Sequence, residues 1–168
     1  MKTGFSRRMG PIAAILLFAL LSPYPRMAAQ FGSSPVAPGS ALAIPAAQVI
    51  APEVLLHWLQ TAGAAKPLLL QVGSHVLFAE AHIPGSEYAG PASQPAGLQL
   101  LENRVNPLAR NKPIVLYCGC CPWNRCPNLG PAFGKLRQMG FTDVKVLYLA
   151  DNFGADWADK GYPVEQGR

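Results

Sequence analysis

Hydrophobic positions follow two alternating patterns along the chain from about residue 50 onward. Continuous apolar runs indicate buried strands, and the predicted strands cover residues 68–72, 87–89, 114–117 and 144–149. Apolar positions at helical spacing, with capping and stop residues, indicate helices, and the predicted helices cover residues 52–61, 74–81, 98–108, 129–139 and 156–160. Because strands that alternate with helices form crossovers, we expect an α/β fold with a central, mostly parallel sheet and helices on both faces.

The first 29 residues have the layout of a secretory signal. Lys2, Arg7 and Arg8 precede an uncharged apolar stretch over residues 11–21, and small residues up to Ala29 offer a cleavage point. This stretch is shorter than the roughly 20 residues that a transmembrane helix needs. We therefore expect export to the periplasm or another extracytoplasmic compartment, with cleavage near Ala29. Contact with a membrane is expected only if the segment stays uncleaved as an anchor, which is the alternative.

Most of the positive charge of the chain lies in this predicted signal. Four of the 14 basic residues and none of the 9 acidic residues fall in residues 1–29, which leaves ten basic and nine acidic residues in the remainder. That remainder has no basic stripe, so we expect no nucleic-acid partner. Residues 30–45 are rich in Gly, Ser, Pro and Ala and predict a flexible linker. Residues 46–168 are long enough for a single domain with one core.

All four cysteines fall within residues 118–126, here called the cysteine loop, between a predicted strand and a predicted helix. Because no cysteine lies elsewhere, disulfides cannot tie distant parts of the domain together, although a disulfide within the loop stays open. Backbone N–H groups and the dipole of the following helix favour a thiolate at such a position. We expect Cys118, at the strand end, to be the nucleophile and Cys120, Cys121 and Cys126 to supply a resolving or second thiol. Cys126 also lies near the helix start, so it is the alternative nucleophile.

The other residues of the cysteine loop suit the binding of an anion. Gly119 lets the backbone approach an anion closely, and the guanidinium of Arg125 matches an oxyanion such as a thiosulfonate. Trp123 is expected to wall the pocket. We therefore expect the substrate-binding residues to be Gly119, Trp123, Asn124 and Arg125.

The order of these segments resembles the rhodanese family of sulfurtransferases over about residues 50–166. The similar segments are the strand at 68–72, the Glu-Ala-His-Ile-Pro-Gly run at 80–85, the strand that ends in Cys118, and the Gly-Tyr-Pro-Val-Glu run at 161–165. The resemblance implies a single rhodanese-like domain without a cofactor. It implies that Cys118 accepts a sulfane sulfur as a persulfide and passes it to a thiol acceptor, while the loop amides and Arg125 hold a small sulfur-containing anion.

The chain departs from the family pattern at three places. Gln71 and Gly73 stand where the family has an Asp-x-Arg at the end of the first strand, the active loop is longer, and one cysteine has become four. Two alternative functions therefore stay open beside sulfur transfer. One is thiol–disulfide exchange with a redox partner protein through the C-x-x-C motif that begins at Cys118. The other is binding of Cu(I) or Zn(II) by Cys118, Cys121 and Cys126, whereas sulfur transfer itself needs no metal.

Overall fold

The computed structural model describes residues 44–167. The predicted signal segment and all but the last two residues of the predicted linker lie outside the described residues. Ile44, in that linker, is buried in the hydrophobic core, so its side chain packs with the domain. No helix in the described part of the chain is long and apolar enough to span a bilayer.

A five-stranded sheet forms the centre of the described domain, and all its strand pairs are parallel. The strands are β1 (Val49–Ile50), β2 (Leu68–Gln71), β3 (Glu87–Tyr88), β4 (Ile114–Tyr117) and β5 (Val144–Leu147), in the spatial order β1-β5-β4-β2-β3. The central strand β4 is buried along its whole length, as its uninterrupted apolar sequence predicts. Its carboxyl end therefore opens at the middle of one edge of the sheet.

Helices cover both faces of this sheet. They are α1 (Pro52–Gln60), α2 (His75–Glu80), α3 (Pro95–Val105), α4 (Leu129–Gln138) and α5 (Phe153–Asp156), with 3-10 turns at Ala46–Gln48, Trp123–Arg125 and Ala158–Lys160. Successive strand residues point to opposite faces, so Leu116 packs into the core on the side of α3 and α4, and Val115 into the core on the side of α1 and α5. The predicted α/β class with helices on both faces is confirmed.

The largest differences between the structure and the sequence prediction are at three elements, while other elements, such as β5, end one or two residues earlier than predicted. Strand β1 was not predicted, and α3 begins at Pro95, three residues before the predicted start. The predicted helix over 156–160 is instead α5, from Phe153, followed by a 3-10 turn. The reason for this earlier start is a cap, because the Asn152 side chain accepts a hydrogen bond from the Ala155 N–H at 2.9 Å.

Candidate active site in the cysteine loop

The cysteine loop leaves the sheet at the carboxyl end of β4 and leads into α4. Cys118 directly follows β4 and is buried. Gly119 has φ +74°, and a Cβ at this position would lie 2.6 Å from the Cβ of Phe153, so only glycine fits. The Gly119 carbonyl accepts a hydrogen bond from the Phe153 N–H at 3.1 Å, and the Trp123 N–H donates to the Ala150 carbonyl at 3.1 Å. These bonds hold the loop against the chain that follows β5.

Three of the four sulfurs form one cluster, here called the sulfur triplet. The Sγ atoms of Cys118, Cys120 and Cys126 all lie within 4.8 Å of one another, and Cys118 Sγ is 3.2 Å from Cys120 Sγ. Cys121 contacts Cys120 at 3.0 Å between sulfurs but is not a member of the triplet. All four cysteines are free thiols, with Cys118 and Cys126 buried and the other two partly exposed. The loop thus folds back on itself to bring residues 118 and 126 together.

Asn128 is a member of the site that the sequence did not indicate. Its side chain is buried, and its Nδ2 donates to Cys118 Sγ at 3.3 Å and reaches Cys120 Sγ at 3.9 Å. Its Oδ1 accepts a hydrogen bond from the Ser93 N–H at 2.9 Å, which fixes the orientation of the amide. An Asn just before a helix indicates an N-cap, yet this side chain caps no N–H of α4. It turns its donor toward the sulfurs instead.

The surroundings of the three sulfurs shift their pKa values in opposite directions. Hydrogen bonding with the Cys118 and Cys120 thiols, and with the backbone N–H groups of Asn128 and Leu129, lowers the pKa of Cys126 to about 3. The Cys120 thiol acts to lower the pKa of Cys118, but the hydrogen bond with Cys126 and burial outweigh it and raise that pKa to about 12. The pKa of Cys120 is also raised, first by its hydrogen bond with Cys118. These shifts favour ionisation of Cys126 over ionisation of Cys118 and Cys120.

The end of β2 supports Cys118 from the other side. The Gln71 side chain is buried, donates from Nε2 to the Cys118 carbonyl at 3.2 Å, and accepts from the Gly73 N–H at 3.1 Å. A Cβ on Gly73 would lie 2.8 Å from Cys118 Sγ. Gln71 and Gly73, which depart from the Asp-x-Arg pattern, thus both support this loop. Gln71 holds the Cys118 backbone, and Gly73 leaves room for the Cys118 sulfur.

Three of the four predicted substrate-binding residues line one open cleft on the outer side of the loop. The cleft has a volume of about 480 Å³ and is lined by Pro122, Trp123, Asn124, Arg125, Tyr148, Ala150 and Asp151. The Trp123 and Tyr148 rings lie 5.2 Å apart between centroids and form one of its walls. Gly119 is not among the lining residues, because its carbonyl faces Phe153. The positive charge of Arg125 acts to lower the pKa of Cys121, which places the guanidinium on the side of the loop where Cys121 lies.

Comparison with known proteins agrees with this architecture. The family model of the rhodanese-like domain matches residues 52–149, well over half of the chain. The chain belongs to the rhodanese-like domain family. Among curated proteins, none matches the chain.

Solved structures of rhodanese-like domains share its fold. The Alr3790 protein from Anabaena sp. is 21% identical, with 70% of this chain and 92% of that chain covered and a TM-score of 0.54. The BH2092 protein from Bacillus halodurans is 22% identical, with coverages of 70% and 75% and a TM-score of 0.54. A thiosulfate sulfurtransferase from Pseudomonas aeruginosa is 24% identical, with coverages of 71% and 19% and a TM-score of 0.49.

Proposed function

We propose that this protein is a sulfurtransferase that takes a sulfane sulfur from an anionic donor, such as thiosulfate, and holds it as a persulfide on Cys118. The observation that carries the proposal is the sulfur triplet at the carboxyl end of β4. Ligand sites of parallel α/β sheets lie at this edge. Cys118 is the first residue beyond the central strand, and Asn128 donates to its sulfur at 3.3 Å.

Cys118 loses its proton to solvent and attacks the outer sulfur of thiosulfate as the thiolate. The S–S bond of thiosulfate breaks, sulfite leaves with the electron pair, and Cys118 becomes a persulfide anion. The Asn128 amide and the N–H groups at the start of α4 stabilise the negative charge that stays in the loop.

Cys120 is the second thiol in this scheme. Its sulfur lies 3.2 Å from Cys118 Sγ. An external thiol acceptor takes the outer sulfur of the persulfide directly. Alternatively, the Cys120 thiol attacks the Cys118 sulfur, hydrosulfide leaves, and a Cys118–Cys120 disulfide forms. A reduced dithiol of a partner protein then restores both thiols and is itself oxidised.

The intact mass of the reduced protein before and after exposure to thiosulfate tests the proposal. The wild-type protein and Cys121→Ser, which changes a sulfur outside the triplet, are expected to gain one sulfur atom each. Cys118→Ser is expected to gain none, whereas Cys126→Ser, which keeps the proposed carrier, is expected to gain one. A full gain by Cys118→Ser would show that another cysteine carries the sulfur. Wild-type protein that neither gains a sulfur atom nor forms the Cys118–Cys120 disulfide would refute sulfur transfer from thiosulfate.

We also propose that the protein acts outside the cytoplasm after removal of residues 1–29. The charge and apolar pattern of that segment supports this. N-terminal sequencing of the protein recovered from an extracytoplasmic fraction is expected to begin near residue 30. Recovery of the intact chain in the cytoplasm would overturn the assignment.

A further inference from the structure

The sulfur triplet has the dimensions of a three-coordinate metal site. A metal with bonds of roughly 2.3 Å to three sulfurs in a plane holds those sulfurs about 4 Å apart. The three Sγ atoms already lie within 4.8 Å of one another, with one pair at 3.2 Å. Side-chain rotations that move each sulfur by less than about an ångström would therefore place all three sulfurs around one ion.

We propose that Cys118, Cys120 and Cys126 bind one Cu(I) ion in a three-sulfur site. The sequence alone suggested Cys118, Cys121 and Cys126 as the metal-binding alternative, but the structure groups Cys120 with the other two and leaves Cys121 outside. The site shares its residues with the proposed sulfur transfer, but its assembly needs no sulfane donor, only the reduced protein.

The donor set favours Cu(I) over Zn(II). Structural zinc sites close a tetrahedron with four ligands. Within residues 44–167, no histidine or carboxylate joins the three sulfurs, and Cys121 adjoins Cys120 along the chain. Soft thiolates in low coordination number select Cu(I). The ligand count of this triplet therefore fits copper in its reduced state.

Hydrogen-bond donors already present around the sulfur triplet stabilise the negative charge of the copper-bound site. Binding of Cu(I) by the three cysteines displaces their thiol protons and leaves three thiolates around one monovalent cation. Asn128 Nδ2 points at two of these sulfurs, and the amide is held in this orientation because its Oδ1 accepts a hydrogen bond from the Ser93 N–H. The backbone N–H groups of Asn128 and Leu129 face the third. Such outer donors raise metal affinity by roughly 10- to 100-fold.

Competition with a coloured Cu(I) chelator, under anaerobic and reducing conditions, tests the proposal on the full-length protein. The wild-type protein is expected to withdraw one Cu(I) per chain, and X-ray absorption at the copper edge is expected to show three sulfur neighbours. Cys120→Ser is expected to lower the count to two sulfurs and the affinity by at least about tenfold. Cys121→Ser is the matched control, one residue away, and is expected to keep three sulfurs and the wild-type affinity.

Several outcomes would overturn the inference. These are failure of the wild-type protein to compete with the chelator, equal losses in Cys120→Ser and Cys121→Ser, or tighter binding of Zn(II) with four ligands. Circular dichroism of each variant separates loss of a ligand from loss of the fold. Since persulfide formation is measured on metal-free protein, a negative copper result leaves the mass test of sulfur transfer unaffected, and the converse also holds.

Discussion

Replacing Asn128 by Asp changes the charge beside Cys118 while it keeps the shape of the side chain. In the wild-type protein, Asn128 Oδ1 accepts a hydrogen bond from the Ser93 N–H at 2.9 Å, and a carboxylate oxygen can keep this bond. The second carboxylate oxygen replaces the Nδ2 donor, which lies 3.3 Å from Cys118 Sγ, by an anionic acceptor. Two unit charges about 4 Å apart repel by about 4 kcal/mol at an effective dielectric constant of 20. A neighbouring like charge shifts an ionisation equilibrium by about one to three pKa units. We therefore expect persulfide formation to slow by about 10- to 1,000-fold.

Sulfite release from thiosulfate in a single turnover measures this effect. The defect of Asn128→Asp is expected to shrink as the pH falls through the pKa of the new carboxyl group, because the protonated form carries no charge. Asn128→Ala, which removes the donor without adding charge, is the control and is expected to show a smaller loss with no such pH dependence. A rate for Asn128→Asp within twofold of the wild-type rate, or equal to that of Asn128→Ala at every pH, would refute the role assigned to this amide.

Three further predictions follow from buried groups near the site. Gly73→Ala places a Cβ 2.8 Å from Cys118 Sγ, so the substitution is expected to destabilise the domain by about 1–3 kcal/mol. Thermal unfolding measures this loss, and an unchanged melting temperature would contradict the tight contact. Because the pKa of Cys126 is lowered to about 3, it stays ionised at every pH above that value; the ultraviolet absorbance of a thiolate is expected to persist well below neutral pH and to vanish in Cys126→Ser. Tyr117→Phe removes the hydroxyl that lies 2.7 Å from Ser86 Oγ and is expected to cost about 1–2 kcal/mol, whereas an unfolding midpoint in denaturant equal to that of the wild type would show that this bond is not stabilising.

The sheet and its order of elements were predictable because the buried strands are continuous apolar runs in the sequence. The run at Ile114–Tyr117 is apolar at every position and becomes β4 with the same bounds. Strand β1 has only two residues, Val49 and Ile50, which is too short for any period to show. It exists because it pairs with β5, with Val49 opposite Val146. That pairing joins segments nearly a hundred residues apart, and no local pattern records it.

The contacts of the cysteine loop were predictable only in part. Position along the chain indicated that Cys118 ends a strand and that Cys126 lies near a helix start, and both placements hold. Which sulfurs meet depends on the path between them, where a 3-10 turn at Trp123–Arg125 returns the chain toward β4. Cys120 and Cys121 are adjacent in sequence, so nothing local separates their roles, yet only Cys120 joins the triplet.

The sequence by itself determined the α/β class, the order of strand, loop and helix around the cysteines, and their position at the end of a strand. These properties follow from local periodicity and from residue chemistry. The tertiary structure alone decided that Asn128 and Gln71 face Cys118 and that the surroundings of Cys126 lower its pKa. These properties arise from side chains that meet across separate elements. Burial and hydrogen bonds at distances of about 3 Å set which thiol ionises, and such distances exist only once the chain has folded.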